Sequence, residues 1–381
     1  MRGFSACSKD DSGNQQQEPE YPSPTPVPSA DYKGLAFISS GESTVRLAQV
    51  GTPYEISLEY STDESHWKPY TIGETITLAD STFLLFRSGE HKNRKFSKDD
   101  ENYYHFEISG PISAQGNIMS LLNRDFSTPL TFYGFFALFE GCTSLLSAPE
   151  LPATTMEQGC YFGIFSECTG LTSAPELPAN VLANNCYGWM FKGCSALTSA
   201  PELPATEMGS YCYNGMFANC TKLTSAPELP AKRLESNCYN CMFEGCTSLT
   251  SAPELPATYL VRECYHSMFN GCTSLASAPK LPATTLAWGC YSEMFQGCTS
   301  LTSAPELPAK ELIRNCYQLM FKDCSKLRYV KALFTTSPSE ETTKDWLSGV
   351  AASGTFVKSK NATWNVTGVH SIPKGWKIET Q

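Results

Sequence analysis

Cysteine is the residue type in this chain whose number and spacing could support chemistry. The 381 residues include 17 cysteines, and most of them fall into two series that share a period of 26 residues. Thiols at such regular spacing could form disulfide bonds, bind a metal ion or carry redox chemistry. The two series are Cys142, Cys168, Cys194, Cys220, Cys246, Cys272, Cys298 and Cys324, and Cys160, Cys186, Cys212, Cys238, Cys264, Cys290 and Cys316.

We interpret both series as columns of buried free thiols, because cysteine behaves as a small hydrophobe and is among the most buried residue types. A disulfide within a repeat, such as Cys160–Cys168, stays open as an alternative that needs a Cα separation below about 7 Å. Zinc is less favoured, because cysteines eight residues apart do not match the usual ligand spacing. Cys238 and Cys241 form a C-x-x-C motif, but the position of Cys241 varies freely between repeats, so we interpret it as drift.

A repeating unit surrounds these cysteines. The motif Ala-Pro-Glu-Leu-Pro recurs with them, and seven units run over Cys142–Cys324. In the second unit, Leu171–Ala174 predicts a short strand that Pro175 ends, because proline lacks an N–H for the next hydrogen bond. Apolar residues over 186–194 have the spacing of a helix of one or two turns. No unit can bury its apolar edge alone, so we expect stacked rungs about 4.8 Å apart.

The repeat, which contains Met-Phe-x-Gly-Cys-x-Ser-Leu, resembles the 26-residue variety of the BspA-like leucine-rich-repeat surface proteins. The resemblance covers residues 116–330, and the closing segment through Trp346, Trp364 and Trp376 resembles the C-terminal end of Bacteroides members. It implies an α/β solenoid, a right-handed superhelix with one short parallel strand and one short helix per unit. It also implies a cell-surface protein that attaches to host proteins or to other bacteria. Ala-Pro-Glu-Leu-Pro departs from the Ile or Leu strand core of many members and leaves the curvature open.

A different pattern precedes the repeats. Short apolar and aromatic runs alternate with turn formers, which predicts a small antiparallel β-sandwich. The runs are Leu35–Ile38, Val45–Leu47, Tyr54–Tyr60, Thr75–Leu78, Phe83–Phe86 and Tyr103–Ile108. We therefore divide the chain into a leader with a proline-rich spacer (1–31), a sandwich module (32–115), the solenoid (116–330) and a C-terminal cap (331–381).

The cap should cover the last open rung. Ser337–Glu341 is a plausible helix start, and Trp346 is expected to pack down onto the stack. Gly354–Val357 and Trp376–Ile378 have the composition of strands.

The first residues resemble the processing site of a bacterial lipoprotein. A small residue, Ala6, precedes Cys7, and the polar, acidic run Ser8–Asp11 resembles an export signal to the outer surface in Bacteroidetes. We expect Cys7 to carry the lipid, and we expect the native product to begin upstream, because no apolar region precedes Cys7 here. The prolines over 12–31 favour an extended spacer, although a tail without a role fits the same composition. The expected location is the outer membrane surface.

Composition and motifs restrict the function. The net charge of −10 argues against nucleic acid and against docking on an anionic membrane face. Five scattered histidines and the lack of any catalytic or nucleotide-binding motif argue against an enzyme, a cofactor and a metal site. We expect a monomer that touches a membrane only through its lipid anchor.

The candidate ligand-binding residues are the charged and aromatic side chains that packing does not fix. One acidic position per repeat would form a column that either attracts a basic partner or is a solvated edge, and we favour the solvated edge. Trp189 and Trp288 occupy loosely specified positions and could be exposed anchors. We expect a protein ligand, with a glycan or a scaffold without a ligand as alternatives. The acidic candidates are Glu150, Glu176, Glu202, Glu228, Glu254 and Glu306, with Lys280 in the remaining repeat.

Overall fold

The computed structural model describes residues 27–53 and 55–381, so Cys7 and most of the spacer lie outside the described residues. Eight strands precede the repeats: β1 Leu35–Ser39, β2 Ser43–Val50, β3 Leu58–Ser61, β4 Lys68–Pro69, β5 Thr75–Leu78, β6 Phe83–Ser88, β7 Tyr103–Ser109 and β8 Ile112–Gln115. A 3₁₀ helix, Ile118–Leu121, follows them. The later elements are β9 Leu145–Ser147, β10 Tyr329–Ala332, α1 Glu340–Thr343, β11 Thr355–Lys358 and β12 Lys377–Thr380.

The N-terminal strands form the β-sandwich that the sequence predicts. One sheet has the order β4-β3-β6-β1-β8-β9 and the other the order β5-β2-β7, and all pairs within the module are antiparallel. The sheets meet through Phe37, Phe86 and Phe106, whose ring centroids lie 5.0 to 6.0 Å apart. β5 alternates exposed and buried residues, as expected for a strand with one face on the core.

The sandwich closes the N-terminal edge of the repeats. Strand β8, which the sequence analysis missed, pairs in parallel with β9 of the first repeat. The rings of Phe106 and Phe139 stack at 5.2 Å, and the Phe106 N–H donates to the carbonyl of Leu138 (2.7 Å). The β-sheet and the hydrophobic core both continue from the sandwich into the first repeat, so the apolar edge of that repeat is covered.

The segment that predicts a helix in each unit is instead a series of overlapping turns, here named the turn segment (185–194 and its equivalents). Within it, every second N–H donates to the carbonyl three residues back, as Met190 does to Tyr187 (3.4 Å). The N–H groups between them donate to the next repeat, as Phe191 does to Met216 (2.9 Å). The predicted helix per repeat is therefore wrong, since half of its hydrogen bonds leave the segment.

Backbone angles explain why the turn segment does not become helical. Asn185, Trp189 and Gly193 all have positive φ (57°, 54° and 74°), and the pattern recurs every four residues in each turn segment. A right-handed helix requires negative φ throughout, so a left-handed residue at each fourth position interrupts it. Alternate turns then have positive φ at their third residue, as a type II turn does. The chain keeps the apolar spacing of a helix but directs its free N–H groups sideways.

The predicted strand per unit is also largely absent. β9 lies in the first repeat and β10 follows the last, and between them the described residues have only isolated parallel bridges such as Ser147↔Ser173 and Ser225↔Ser251. At these serine bridges, a proline two residues later limits the ladder to one or two hydrogen bonds. Successive repeats are thus held together mainly by the turn segments.

The core is built from columns of identical residues that stack from repeat to repeat. Both cysteine series are buried, and so are the tyrosine, the methionine or isoleucine and the phenylalanine of each Cys-Tyr-x-x-Met/Ile-Phe motif and the leucine of each Cys-x-x-Leu motif. Neighbouring tyrosine rings from Tyr161 to Tyr317 lie 5.8 to 6.2 Å apart. Neighbouring phenylalanine rings from Phe139 to Phe321 lie 5.5 to 5.7 Å apart, nearly parallel. These columns are the shared core that a single unit cannot form.

The C-terminal residues cover the last repeat, as the sequence predicts. Ser339 caps α1, and Trp346 is fully buried against the ring of Tyr317 (6.1 Å). The Phe321 N–H donates to the carbonyl of Trp346 (2.9 Å), which continues the hydrogen bonds between turn segments. Strands β10, β11 and β12 form a parallel sheet beside it, so both strands expected in the cap are present. None of the helices in the described residues is long and apolar enough to cross a membrane.

Candidate functional site

A cluster of partly exposed aromatic side chains lies where the turn segments reach the surface in the first repeats. We name it the aromatic strip, and its rings connect at centroid distances of 4.6 to 5.5 Å. Phe132 and Trp189 remain 44% and 42% exposed, whereas the other rings are half-buried. The strip consists of Tyr103, Phe132, Tyr133, Phe136, Phe162 and Trp189.

Glycines of the following repeat hold the strip in place. A Cβ on Gly159 would lie 2.5 Å from the Tyr133 ring, one on Gly188 2.8 Å from the Phe162 ring, and one on Gly215 2.6 Å from Trp189. Each ring therefore occupies the space that a side chain would need in the next rung. The consequence is a surface whose rotamers are restricted before any ligand arrives, which lowers the entropic cost of binding.

Carboxylates surround the strip. The charges of Asp100 and Asp99 add to burial in raising the pKa of Tyr133. Burial is also the main reason that the pKa of Glu140 is raised, and the neighbouring charge of Glu167 acts in the same direction. Lys192 partly offsets this charge, since its ammonium lies 3.9 Å from Glu167 and 5.0 Å from the ring centre of Trp189. Four carboxylates, one of them paired with Lys192, therefore lie along the strip.

The predicted acidic column is exposed on another face. All six glutamates and Lys280 are exposed, and successive Pro-Glu-Leu-Pro segments line shallow grooves that contain Glu150 with Glu176, and Glu202 with Glu228. Glu306 has an ion pair with Lys331 (2.9 Å). That this acidic column is a solvated edge, and not a binding site for a basic partner, stays a prediction. The acidic residues are Glu150, Glu176, Glu202, Glu228, Glu254 and Glu306.

The two predicted tryptophans differ in environment. Trp189 is exposed and ends the aromatic strip. Trp288 is only partly exposed, because the guanidinium of Arg262, from the preceding repeat, lies 4.3 Å from its ring centre. The structure therefore brings Trp189 together with other aromatic residues but leaves Trp288 covered by a cation of its own chain.

The cysteines of both series are free and buried, as interpreted from the sequence, whereas Cys241 is free and only partly buried. In the Cys142 series, each thiol donates to a phenylalanine carbonyl, as Cys168 does to Phe139 (3.0 Å). Burial raises the pKa of Cys142 to about 12. Burial, with the charge of Glu244, also raises the pKa of Cys241 to about 12. Thiols of this kind stay protonated at neutral pH, so they lack the thiolate that nucleophilic or redox chemistry requires.

Other chemistry has little support in the described part of the chain. Among residues 27–53 and 55–381, no three His, Cys, Asp or Glu side chains are grouped so that they could hold a metal ion. His266 and Glu293 approach at 3.7 Å beside Cys241, but they form no larger cluster of ligands. The site with the most distinctive geometry is the aromatic strip.

Sequence reasoning found only Trp189 among the six residues of the strip. The signal was present, because Phe136 and Phe162 are 26 residues apart and Trp189 follows Phe162 by 27. An alignment of the repeats that extended back to Phe136, next to the sandwich, would have revealed this succession of aromatic residues. The contribution of Tyr103 depends on the docking of the sandwich onto the first repeat, which no local pattern encodes.

Comparison with known families agrees with the repeat geometry. The family model for the BspA type leucine rich repeat region matches six copies, over residues 136–238 and 211–338, which together span more than half of the chain. No curated protein matches the chain. On the strength of the family match, the chain belongs to the BspA-type leucine-rich-repeat family.

Proposed function

We propose that this chain is a cell-surface protein that binds a protein partner on its stacked repeats. Membership of the BspA-type family supports the proposal, because such a repeat region suggests a surface module for protein interaction. The observation that carries it is the aromatic strip, six connected rings that three successive turn segments and the sandwich hold at the surface. Aromatic anchors held in this way are typical of the residues that dominate binding energy at protein interfaces.

Variation between repeats points to the same surface. The Ala-Pro-Glu-Leu-Pro face changes little, whereas two adjacent positions of the turn segment differ in almost every repeat. Positions that differ between repeats of the same fold can change to suit a ligand without disturbing the stacked core. The two columns are Phe162, Gly188, Asn214, Asn240, His266, Ser292 and Gln318, and Gly163, Trp189, Gly215, Cys241, Ser267, Glu293 and Leu319.

The arrangement of the rings favours a protein over a glycan. A sugar packs its C–H face against the open face of an aromatic ring, but Phe136 and Phe162 are parallel within 4° at 5.5 Å and cover each other. The strip therefore presents mainly ring edges, which apolar side chains can contact as readily as in a protein core.

Glycan binding through the N-terminal sandwich and aromatic residues such as Trp288 remains the second candidate, and a scaffold without a ligand is the third. We propose no catalytic activity and no cofactor. We also propose that a lipid on Cys7 anchors the native protein to the outer surface, since Ala6-Cys7 and the following Ser8–Asp11 have the character of a lipoprotein processing site.

A binding screen tests the proposed function. The purified protein is immobilised and exposed to a panel of extracellular-matrix proteins and, separately, to a glycan array. We expect saturable binding to at least one protein, which a Glu228→Gln/Glu254→Gln variant should retain because its two changes lie on the constant face. Binding to glycans alone would favour the second candidate. No binding to either class would favour the scaffold and contradict the proposal.

Anchoring is tested separately in the native host. Cells that express the full gene are grown with an alkyne fatty acid, and incorporation into the protein is compared with that in a Cys7→Ala variant. We expect labelling and surface exposure in the wild type and neither in the variant. A wild-type protein without label would contradict the lipid anchor and leave the binding proposal untouched.

A further inference from the structure

The aromatic strip combines two properties that together specify a partner more narrowly than apolar character alone. Its rings are held by glycine sockets at Gly159, Gly188 and Gly215. Its edge is acidic, with Asp99, Asp100, Glu140 and Glu167 close to the rings. Lys192 and Lys98 lie nearby, and Lys192 is already paired with Glu167.

Two other indole rings of this protein are each covered by the guanidinium of an arginine. The guanidinium of Arg262 lies 4.3 Å from the ring centre of Trp288, and that of Arg87 lies 3.7 Å from Trp67. Trp189 has only the ammonium of Lys192, at 5.0 Å, and stays 42% exposed. A planar guanidinium stacks on an aromatic ring and is more weakly hydrated than an ammonium, so Trp189 offers a place that an arginine from outside could fill.

We propose that the aromatic strip is the docking site for a basic segment of a protein partner, in which arginines alternate with aliphatic or aromatic side chains. This proposal rests on the proposed function and names the partner's chemistry. Apolar side chains pack against the ring edges of Phe136 and Phe162, while arginines face Glu140, Glu167 and the ring of Trp189. The overall charge of −10 assists the encounter with a cationic segment.

The same charges exclude two other macromolecules. Nucleic acids bind proteins through neutralisation of phosphates by Lys and Arg, and anionic membrane surfaces attract basic segments. A surface that carries four carboxylates beside its apolar anchors repels both. A basic polypeptide is the class of macromolecule that complements rings and carboxylates at once.

The test uses the full chain and three fluorescein-labelled synthetic peptides, each with four copies of a four-residue unit. The first unit is Arg-Leu-Gly-Tyr, the second replaces arginine with glutamate, and the third is Arg-Ser-Gly-Ser. Fluorescence anisotropy gives each affinity at two salt concentrations. We expect the first peptide to bind at least roughly tenfold more tightly than either of the others, because only it supplies both charge and apolar contact.

Variants locate the site. Phe162→Ser/Trp189→Ser should weaken binding of the first peptide by at least about tenfold, the loss typical of anchor residues. Glu140→Gln/Glu167→Gln should weaken it roughly threefold or more and reduce its salt dependence. The control Glu228→Gln/Glu254→Gln removes the same number of charges from the other face and should change affinity less than about twofold. Phe162→Leu/Trp189→Phe, with an unchanged urea midpoint, keeps the test valid if the serine variant unfolds, and it should bind between the two.

Several results would overturn the inference. Equal binding of the basic and acidic peptides, loss of affinity in the control variant alone, or no binding of the first peptide to the wild type would each do so. Displacement of the first peptide by a chitin or cellulose hexamer would also overturn it, by assigning the strip to a glycan. The proposed function survives these outcomes if a matrix protein still binds the wild type, and it falls only if no protein binds.

Discussion

A substitution in the buried tyrosine column is expected to stabilise the protein, which is unusual for a change in a core. Among the described residues, the buried hydroxyl of Tyr239 finds no hydrogen-bond partner, and the same holds for those of Tyr161, Tyr187 and Tyr291. Burying a hydroxyl without a partner costs about 1 to 3 kcal/mol. Tyr239→Phe keeps the ring and its stacking, so we expect it to raise the free energy of unfolding by about 1 kcal/mol, although most substitutions in a core lower it.

A second tyrosine provides the control. The hydroxyl of Tyr70 accepts a hydrogen bond from the Leu47 N–H (2.9 Å) and donates one to the carbonyl of Glu74 (2.6 Å). Removal of the hydroxyl would leave the Leu47 N–H without this partner, and because Leu47 is fully buried, solvent could not replace it. Tyr70→Phe should therefore lower the free energy of unfolding by roughly 1 to 3 kcal/mol.

Urea denaturation followed by circular dichroism measures both changes as shifts of the midpoint at constant slope. The pair Tyr161→Phe/Tyr239→Phe should give the sum of the two single effects, because three ring spacings of about 6 Å separate them. If Tyr239→Phe lowered the midpoint as much as Tyr70→Phe does, the column would hold bonded hydroxyls, for instance through enclosed water, and the reasoning would be refuted.

Three further outcomes are expected. Native protein at pH 8 should leave the repeat thiols unreactive towards a thiol reagent until urea is added, because burial raises the pKa of a thiol such as Cys142 to about 12; rapid native reaction of many cysteines would contradict this. Met242→Ala should lower the free energy of unfolding by about 2 to 5 kcal/mol in urea titrations, since its buried side chain leaves a cavity, and a loss below about 1 kcal/mol would show that the core collapses around it. Gly159→Ala should lower the urea midpoint more than Gly163→Ala does. Both glycines have positive φ, but only a Cβ on Gly159 would meet the Tyr133 ring, at 2.5 Å. Equal urea midpoints would argue against the glycine sockets.

The period and the burial of its residues could be predicted from the sequence, whereas the local backbone could not. Cys186, Tyr187, Met190 and Phe191 have the spacing of one helix face, and a series of overlapping turns buries the same residues. What separates the two is positive φ at every fourth position. Glycine marks only some of these positions, and Trp189 occupies another at the expense of strain.

The site was harder to predict than the fold. Trp189 and Trp288 both occupy variable positions of the repeat, but their exposure depends on neighbours one repeat away, Gly215 for the first and Arg262 for the second. These contacts follow the stacking direction, so they appear only when the repeats are aligned as columns. Tyr103 joins the strip through the sandwich, and that contact depends on tertiary docking alone.

The hydrogen bonds between turn segments also restrict how the gene can change. Phe191 donates to Met216 and Phe217 to Met242, so each donor finds its acceptor 25 residues further along the chain. Gain or loss of one whole unit by recombination between near-identical copies leaves every such pair intact, whereas an indel of a few codons would misalign a complete ladder. A change of one unit would thus alter the distance between the two ends of the protein by one rung, while the aromatic strip beside the sandwich stays unchanged.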